Sequence, residues 1–147
     1  LEIAPCQGCF ACWVRTPGIC ILDDDAWRIV RAVPQSRILV LVSPVTFGGY
    51  SSELKKAVDR LIPLLLPYFT FVAGEVHHIR RYRRYPSLLA VGVLPRPNEE
   101  RETIFRRLLR RNALNFHAPD AEACFVYGDG SSPRLSLDET LEELMAT

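Results

Sequence analysis

The segment Arg37-Ile-Leu-Val-Leu-Val-Ser43 is apolar at every position between its two polar ends. A run of this kind is typical of a parallel β-strand that is covered on both faces. It leads into Pro44-Val-Thr-Phe-Gly-Gly-Tyr50, a loop with two adjacent glycines. Because glycines let the backbone approach a ligand closely, the loop is a candidate binding loop for a planar molecule.

Two more runs, Ser87–Val93 and Ala121–Tyr127, have the same apolar character. Helical patterns separate the strands, and the signals that start them are Asp23–Asp25, Ser51, Asn98 and a capping box of Ser136 and Glu139. Strands that alternate with helices predict an α/β domain with a doubly wound parallel sheet. Ligands of such sheets bind at the carboxyl ends of the strands, where Pro44–Tyr50 and a second loop from Leu94 to Asn98 lie.

The chain has 147 residues, and we expect one domain over residues 1–147. A hydrophobic content of 48% and a net charge of +1 argue against disorder and against a protein built to bind nucleic acid. The longest uncharged run, residues 61–74, is interrupted by Pro63 and Pro67 and is shorter than the ~20 residues of a membrane span. No signal-peptide pattern is visible.

Four of the five cysteines fall within the first 20 residues: Cys6, Cys9, Cys12 and Cys20. Their clustering within residues 1–22, in a chain with an ample core, predicts metal or redox chemistry in the cytoplasm rather than a disulfide scaffold. Three interpretations are open. The two-residue gaps suit a four-iron cluster, with Cys20 as the fourth ligand. A structural zinc site fits the spacing poorly, and thiols without metal are the third possibility.

These residues also carry a family resemblance. Cys6-Gln-Gly-Cys-Phe-Ala-Cys-Trp13, followed by Thr16-Pro-Gly-Ile-Cys20, resembles the start of the second strand–helix unit of flavodoxin-like NAD(P)H-dependent FMN reductases. The iron–sulfur flavoprotein subgroup is most similar, because its motif has three cysteines at two-residue gaps and a fourth several residues later. Ser43-Pro-Val-Thr-Phe-Gly-Gly-Tyr-Ser-Ser-Glu-Leu-Lys-Lys-Ala-Val-Asp-Arg60 is similar to the loop and helix after the third strand of the same superfamily.

The resemblance implies an FMN-dependent oxidoreductase or electron carrier that accepts electrons from NAD(P)H or a redox protein. The flavin ring would lie along the loop formed by Ser43, Pro44, Val45, Thr46, Phe47, Gly48 and Gly49, with Leu94 on its other side. A loop with glycines agrees with this, since a reduced flavin needs backbone N–H donors near its ring. The resemblance also implies that the four clustered cysteines hold a 4Fe–4S cluster.

One departure from the family pattern affects the expected fold. The family begins with a strand, a phosphate-binding loop and a helix, and this sequence starts after all three. We therefore expect a flavodoxin-like sheet that lacks the usual first strand and helix in this chain, and no segment resembles a phosphate cradle. An alternative function is a non-catalytic binding or redox-sensing module that keeps the fold without the phosphate site.

Residues 67–86 have no clear period and are rich in tyrosine, histidine and arginine. We predict that residues 77–85 lie at a homo-oligomer interface beside the ring site and help to cover the flavin. Within this segment, His77 and His78 are expected at the surface or at an interface. Asp59 and Arg60 are expected to pair with each other, either on the helix surface or behind the residues of a site, and Cys124 to be an inert core thiol.

Overall fold

The computed structural model describes residues 1–131 and 137–146. Its central sheet contains β1 (Ile38–Pro44), β4 (Ser87–Leu94) and β5 (Ala121–Tyr127), in the order β1-β4-β5. All pairings are parallel. The three predicted strands and the α/β class are therefore confirmed, with strand ends that differ from the expectation by at most one residue.

Five α-helices accompany the strands: α1 (Ala11–Val14), α2 (Ala26–Ala32), α3 (Ser52–Asp59), α4 (Glu99–Phe116) and α5 (Leu137–Ala146). Two predicted caps are confirmed. The Ser51 side chain accepts a hydrogen bond from the Leu54 amide at 3.3 Å, and the Asn98 side chain accepts one from the Arg101 amide at 2.9 Å. The predicted capping residue Ser136 lies outside the described residues. The short helix α1 was not predicted.

The main core lies between the sheet and the pair α3 and α4. Leu88 and Ala90 of β4 pack there against Phe105 and Leu109 of α4, and each of the four is at most 1% exposed. The alternate residues of the strands face α5, which places Leu144 against residues of β4 and β5. Cys124 is buried in this second cluster as predicted, and burial raises the pKa of its thiol.

The face under α5 is only partly covered. Four valines of the central sheet remain exposed there: Val40, Val42, Val93 and Val126. Among the residues that the structure describes, β1 also pairs with β4 alone, so its other edge has no strand beside it. The sheet is therefore apolar beyond the area that α5 protects.

The segment that was expected to be an irregular connection contains a β-hairpin. β2 (Leu65–Val72) pairs antiparallel with β3 (Glu75–Arg80), and the pairing is irregular between Leu65 and Phe69, around Pro67. Ala73 and Gly74 join the strands with φ values of 50° and 82°. Positive φ at both central residues is the pattern of the tight turns that suit β-hairpins.

Part of the segment 77–85 is internal rather than exposed. His77 is 7% exposed, and its Nδ1 lies 3.1 Å from the Asn115 side-chain oxygen, so the expected surface position of His77 is wrong. His78 lies between the rings of Trp13 and Phe69, with centroids 4.7 Å away in both cases. Tyr85 is buried and donates to the carbonyl of Leu64. Burial fixes these rings within the protomer.

The location of residues 81–86 also differs from the expectation. These residues lead into the first residue of β4, whereas the proposed ring loop follows the last residue of β1. Because the two strands are parallel, the segment lies at the amino ends of the strands and the loop at their carboxyl ends. Seven residues of strand span about 23 Å, so this segment does not lie beside the ring site of its own protomer.

In the ranges 1–131 and 137–146, no helix has both the length and the hydropathy of a membrane span.

Candidate functional site

The four clustered cysteines line one cavity. It has a volume of about 30 Å³, and its wall also contains Phe10, Leu22, Arg60 and residues of the 3₁₀ turn Ile62–Leu64. Cys12 is buried, Cys20 is half-buried, and Cys6 and Cys9 are exposed. The structure thus brings together the four residues that the sequence singled out.

Local backbone geometry shapes this cysteine loop. Gly8 and Phe10 have left-handed backbone conformations, with φ values of 63° and 55°, and they turn the chain twice before α1 begins. Trp13 then fixes α1 against the rest of the protein, because its indole nitrogen donates to the carbonyl of Leu65 at 2.9 Å. The anchored helix holds Cys12 on the buried side of the cavity.

Arg60 is a buried cation in the cavity wall, and sequence reasoning missed it. The residue is 2% exposed, and its Nη1 and Nη2 donate to the two oxygens of Asp24 at 2.7 and 2.9 Å. Nη1 also donates to the carbonyl of Ala4 at 2.8 Å. The expected surface pair of Asp59 and Arg60 is wrong, because Asp59 pairs with Lys55 instead. The partner of Arg60 lies 36 residues away, so no local pattern could have indicated it.

The charges around this cavity interact strongly. Hydrogen bonding from Arg60 lowers the pKa of Asp24 from its usual 3.8 to about 2. Burial raises the pKa of Cys12, and the neighbouring Cys20, Cys6 and Cys9 raise it further, which reflects how close the four sulfurs lie. Burial lowers the pKa of Arg60, but Asp24 and Cys20 outweigh this effect, so that the pKa is raised overall.

A single metal ion and a four-iron cluster make different demands on the residues around the cavity. Nowhere in residues 1–131 and 137–146 do three histidine, cysteine or acidic side chains converge as the ligands of a single ion. A four-iron cluster makes a different demand, because its ligands sit at separate corners and are held apart by the width of the cluster. The four thiols that line this cavity are the donor set that such a cluster takes.

The second candidate site is the loop after β1. Ser43 is buried, and its Oγ accepts the Ser51 amide at 2.8 Å, which closes the loop at its base. At the tip, Thr46 and Gly49 exchange backbone hydrogen bonds of 3.0 and 2.8 Å. Phe47 and Gly48, between them, have φ values of 51° and 81°. Of the seven predicted residues, Ser43 and Pro44 therefore end β1, and Thr46 to Gly49 form a hydrogen-bonded rigid turn.

This turn offers two groups to a ligand. The amides of Phe47 and Gly48 donate to no partner within the described part of the chain, and the Phe47 side chain is 92% exposed. Free amides beside an exposed aromatic ring fit the polar edge and the flat face of an isoalloxazine. The positive φ of Gly48 was one expected reason for glycine there. A second reason is the close packing of Gly48 against Ile104 of α4, because a Cβ on Gly48 would lie 2.6 Å from that side chain.

The loop after β4 starts beside this turn. The Val45 amide donates to the carbonyl of Val93 at 2.9 Å, so the two loops leave the sheet side by side, as the parallel topology predicts. Leu94 is 1% exposed and packs in the core, and the loop that follows it lines a cavity of about 380 Å³ with Arg96, Asn98 and Arg101. Two guanidinium groups at this edge suit a phosphate-bearing ligand.

The cysteine cavity and the turn of Thr46 to Gly49 lie at opposite ends of α3. Ser51 and Ser52 start this helix directly after the turn, and Arg60 follows its last residue in the wall of the cavity. A helix of eight residues is about 12 Å long. The two candidate sites are therefore separate within one protomer.

Comparisons with known proteins identify the family of this chain. A sequence model of the family described as NADPH-dependent FMN reductase matches residues 2–77, just over half of the chain. The chain is similar to an iron-sulfur flavoprotein of Methanocaldococcus jannaschii, at 37% identity over 67 residues, which are 46% of this chain and 34% of that protein.

Two other iron-sulfur flavoproteins are also similar. One from Methanosarcina thermophila is 35% identical over 63 residues, which are 43% of this chain and 32% of that protein. One from Archaeoglobus fulgidus is 29% identical over 75 residues, which are 51% of this chain and 37% of that protein. The chain spans about a third of the length of the relatives it matches.

Proposed function

The chain belongs to the NADPH-dependent FMN reductase family, and from this membership we propose that it is an FMN-dependent oxidoreductase or electron carrier. Its electron donor is NAD(P)H or a redox protein, and a 4Fe–4S cluster is its second redox group. The observation that carries the proposal is the rigid turn at the end of β1, whose free amides and exposed Phe47 lie beside the arginine-lined loop after β4.

In this proposal FMN supplies the hydride and one-electron chemistry of its ring. The amides of Phe47 and Gly48 donate hydrogen bonds to the polar edge of the ring, where negative charge gathers on reduction. The Phe47 side chain covers one ring face and excludes water from it. Arg96 and Arg101 attract the phosphate groups of FMN or of NAD(P)H, because guanidinium groups pair well with phosphate oxygens.

Cys6, Cys9, Cys12 and Cys20 hold the iron–sulfur cluster in this proposal. Their shared cavity and the names of the similar archaeal proteins support the assignment. If it is correct, protein purified without oxygen contains about four irons per chain, and Cys9→Ser removes most of them. Zinc, or no metal under strict anaerobiosis, would contradict the cluster while leaving the flavin proposal intact.

The flavin proposal is tested by titration of FMN into the apoprotein. Phe47→Ala removes an exposed ring, so the melting temperature should change little while FMN affinity falls about tenfold, as expected for the loss of one stacking contact of ~1.4 kcal/mol. Phe71→Ala is the matched control, because Phe71 is 79% exposed on the hairpin. Equal affinity in all three proteins would show that the turn does not hold the flavin.

A wild-type protein that binds no FMN would favour the alternative function. The chain would then act as a binding or redox-sensing module, with the cysteine cavity as its reactive part. The alternative predicts that protein incubated with FMN and then separated from unbound FMN lacks the flavin bands at ~375 and ~450 nm.

A further inference from the structure

The strongest observation outside the expected residues is the buried guanidinium of Arg60. It lies in the wall of the cysteine cavity with a side chain that is 1% exposed. Asp24 and the carbonyl of Ala4 engage Nη1 and Nη2. Nε is buried and has no hydrogen-bond partner among the described residues.

An unpartnered N–H in a buried position normally costs about 1–3 kcal/mol, so such groups are rare in folded proteins. Asp24 neutralises the charge of Arg60, yet it leaves this donor unused. The same cavity offers the sulfurs of four cysteines as acceptors for its hydrogen. The influence of Cys20 on the pKa of Arg60 agrees with that proximity.

The electrostatics of a cluster give this donor a function. Four thiolates around an oxidised four-iron core carry a net charge of −2, and reduction makes that charge −3. A cation and an N–H donor next to the sulfurs stabilise the more negative state more strongly than the less negative one. Asp24 offsets most of the charge of Arg60, so the buried Nε–H donor is the part of this side chain that acts most directly on the sulfurs.

We propose that Arg60 is the residue that tunes the iron–sulfur cluster: its guanidinium donates to a ligand sulfur and raises the reduction potential. Asp24 is the positioning residue, since its two oxygens hold the guanidinium in one orientation. The inference rests on the cluster assigned under the proposed function. The reduction itself adds one electron to the core, forms or breaks no bond, and takes its electron from dithionite in the experiment below.

The test compares reduction midpoints in three anaerobically reconstituted proteins. Asp24→Asn with Arg60→Met removes both members of the buried pair without leaving an unpaired charge. Lys55→Met with Asp59→Asn makes the same changes in an exposed pair of α3, and therefore controls for net charge and for alteration of the helix. The buried double variant should lower the midpoint by at least about 59 mV, which is a tenfold change for one electron. The control should keep the wild-type value.

A second variant protects the test against misfolding. Arg60→Lys keeps the charge and the ion pair with Asp24 but lacks the Nε donor, so it should load iron normally and have a midpoint between the wild type and the buried double variant. Melting curves and iron counts accompany each titration, because a purely structural role of Arg60 would change those values without moving the midpoint.

The outcomes separate the two levels of the proposal. Wild-type midpoints in Arg60→Lys, in a protein with a full iron content, would overturn the tuning function while the cluster remains. Absence of iron from the wild type and all variants would overturn the cluster itself, and the tuning function with it.

Discussion

Asp24 and Arg60 couple the N-terminal segment to the rest of the protein through one carboxylate. The pKa of Asp24 is lowered to about 2 in the folded protein, so its ion pair stabilises the fold above the usual carboxyl pKa of 3.8. That stabilisation is lost as the pH falls from about 4 to about 2. Below this range the carboxyl is protonated and Arg60 is left buried without its counter-charge.

We therefore predict a pH-dependent stability that a single amide substitution at Asp24 reduces. In the wild type, the free energy of unfolding in urea should decrease steeply between pH 4 and pH 2. In Asp24→Asn it should be lower at pH 6 and should decrease less over that range. Glu75 shares the pH range, because Arg111 lowers its pKa to about 2, and Glu75→Gln is therefore the control. A wild-type slope in Asp24→Asn would contradict the prediction.

Gly48 shows how one residue can serve the fold and the site together. Its φ of 81° strains any other residue by roughly 1–2 kcal/mol, and an added Cβ would also overlap Ile104. Substitution should therefore destabilise the apoprotein as well as weaken FMN binding. In a free surface loop, by contrast, a substitution would weaken binding with little loss of stability.

The overlap can be measured with a double-mutant cycle. Gly48→Ala alone should be strongly destabilising, and adding Ile104→Ala should recover about 1–2 kcal/mol, because the cavity that it opens accepts the new methyl group. Thermal or urea unfolding of the four proteins gives the coupling energy. Strict additivity would mean that strain at φ, rather than contact with α4, explains the glycine.

Besides the short helix α1, the hairpin β2–β3 is an element that the sequence did not indicate. Pro67 interrupts any alternation in β2, and the first part of the segment is apolar on both sides, so the pattern was not that of a strand. The signal that could have found it is Gly74, which supplies positive φ at the second turn position.

The turn of the hairpin offers a direct stability test. Ala73 has a φ of 50°, a conformation that asparagine tolerates better than alanine. Ala73→Asn should raise the melting temperature by a few degrees, whereas Gly74→Ala should lower it, with a loss of roughly 1–2 kcal/mol. A Cβ added to Gly74 would meet nothing within 4 Å. The stability change of Gly74→Ala therefore reports the backbone strain alone. A neutral Gly74→Ala would show that the turn is not rigid.

The other elements could be predicted because their signals are local. Continuous apolar runs identified β1, β4 and β5, and Ser51 and Asn98 marked the starts of α3 and α4. The adjacency of the two ring loops followed from parallel topology. The Asp24–Arg60 pair and the burial of His77 depend on contacts between distant segments, which a single sequence does not encode in any spacing.

At the scale of the whole molecule, the homo-oligomer stays a prediction, but its surface must be redefined. Buried His77 and Tyr85 cannot contact a partner, whereas the hairpin exposes an aromatic patch of Tyr68, Phe69 and Phe71. Aromatic residues are enriched at such interfaces. We therefore expect this hairpin patch to form the contact.

Light scattering at low micromolar concentration tests the assembly. The wild type should be larger than the 16.7 kDa of one chain, and Phe71→Lys should shift it towards the monomer. Trp27→Lys, at an exposed position of α2 outside the hairpin, is the control and should leave the assembly unchanged. A monomeric wild type, or dissociation in the control alone, would exclude the hairpin patch as the interface.

The four exposed valines beside α5 have a consequence for the handling of the protein. Together with the unpaired edge of β1, they form an apolar surface that water wets poorly and that other chains can extend by backbone pairing. Kosmotropic salts strengthen contacts between such surfaces, so sulfate and phosphate buffers should narrow the concentration range in which the protein stays in solution. Among the described residues, the surface that governs this behaviour is the open face and edge of the sheet, and neither candidate site is part of it.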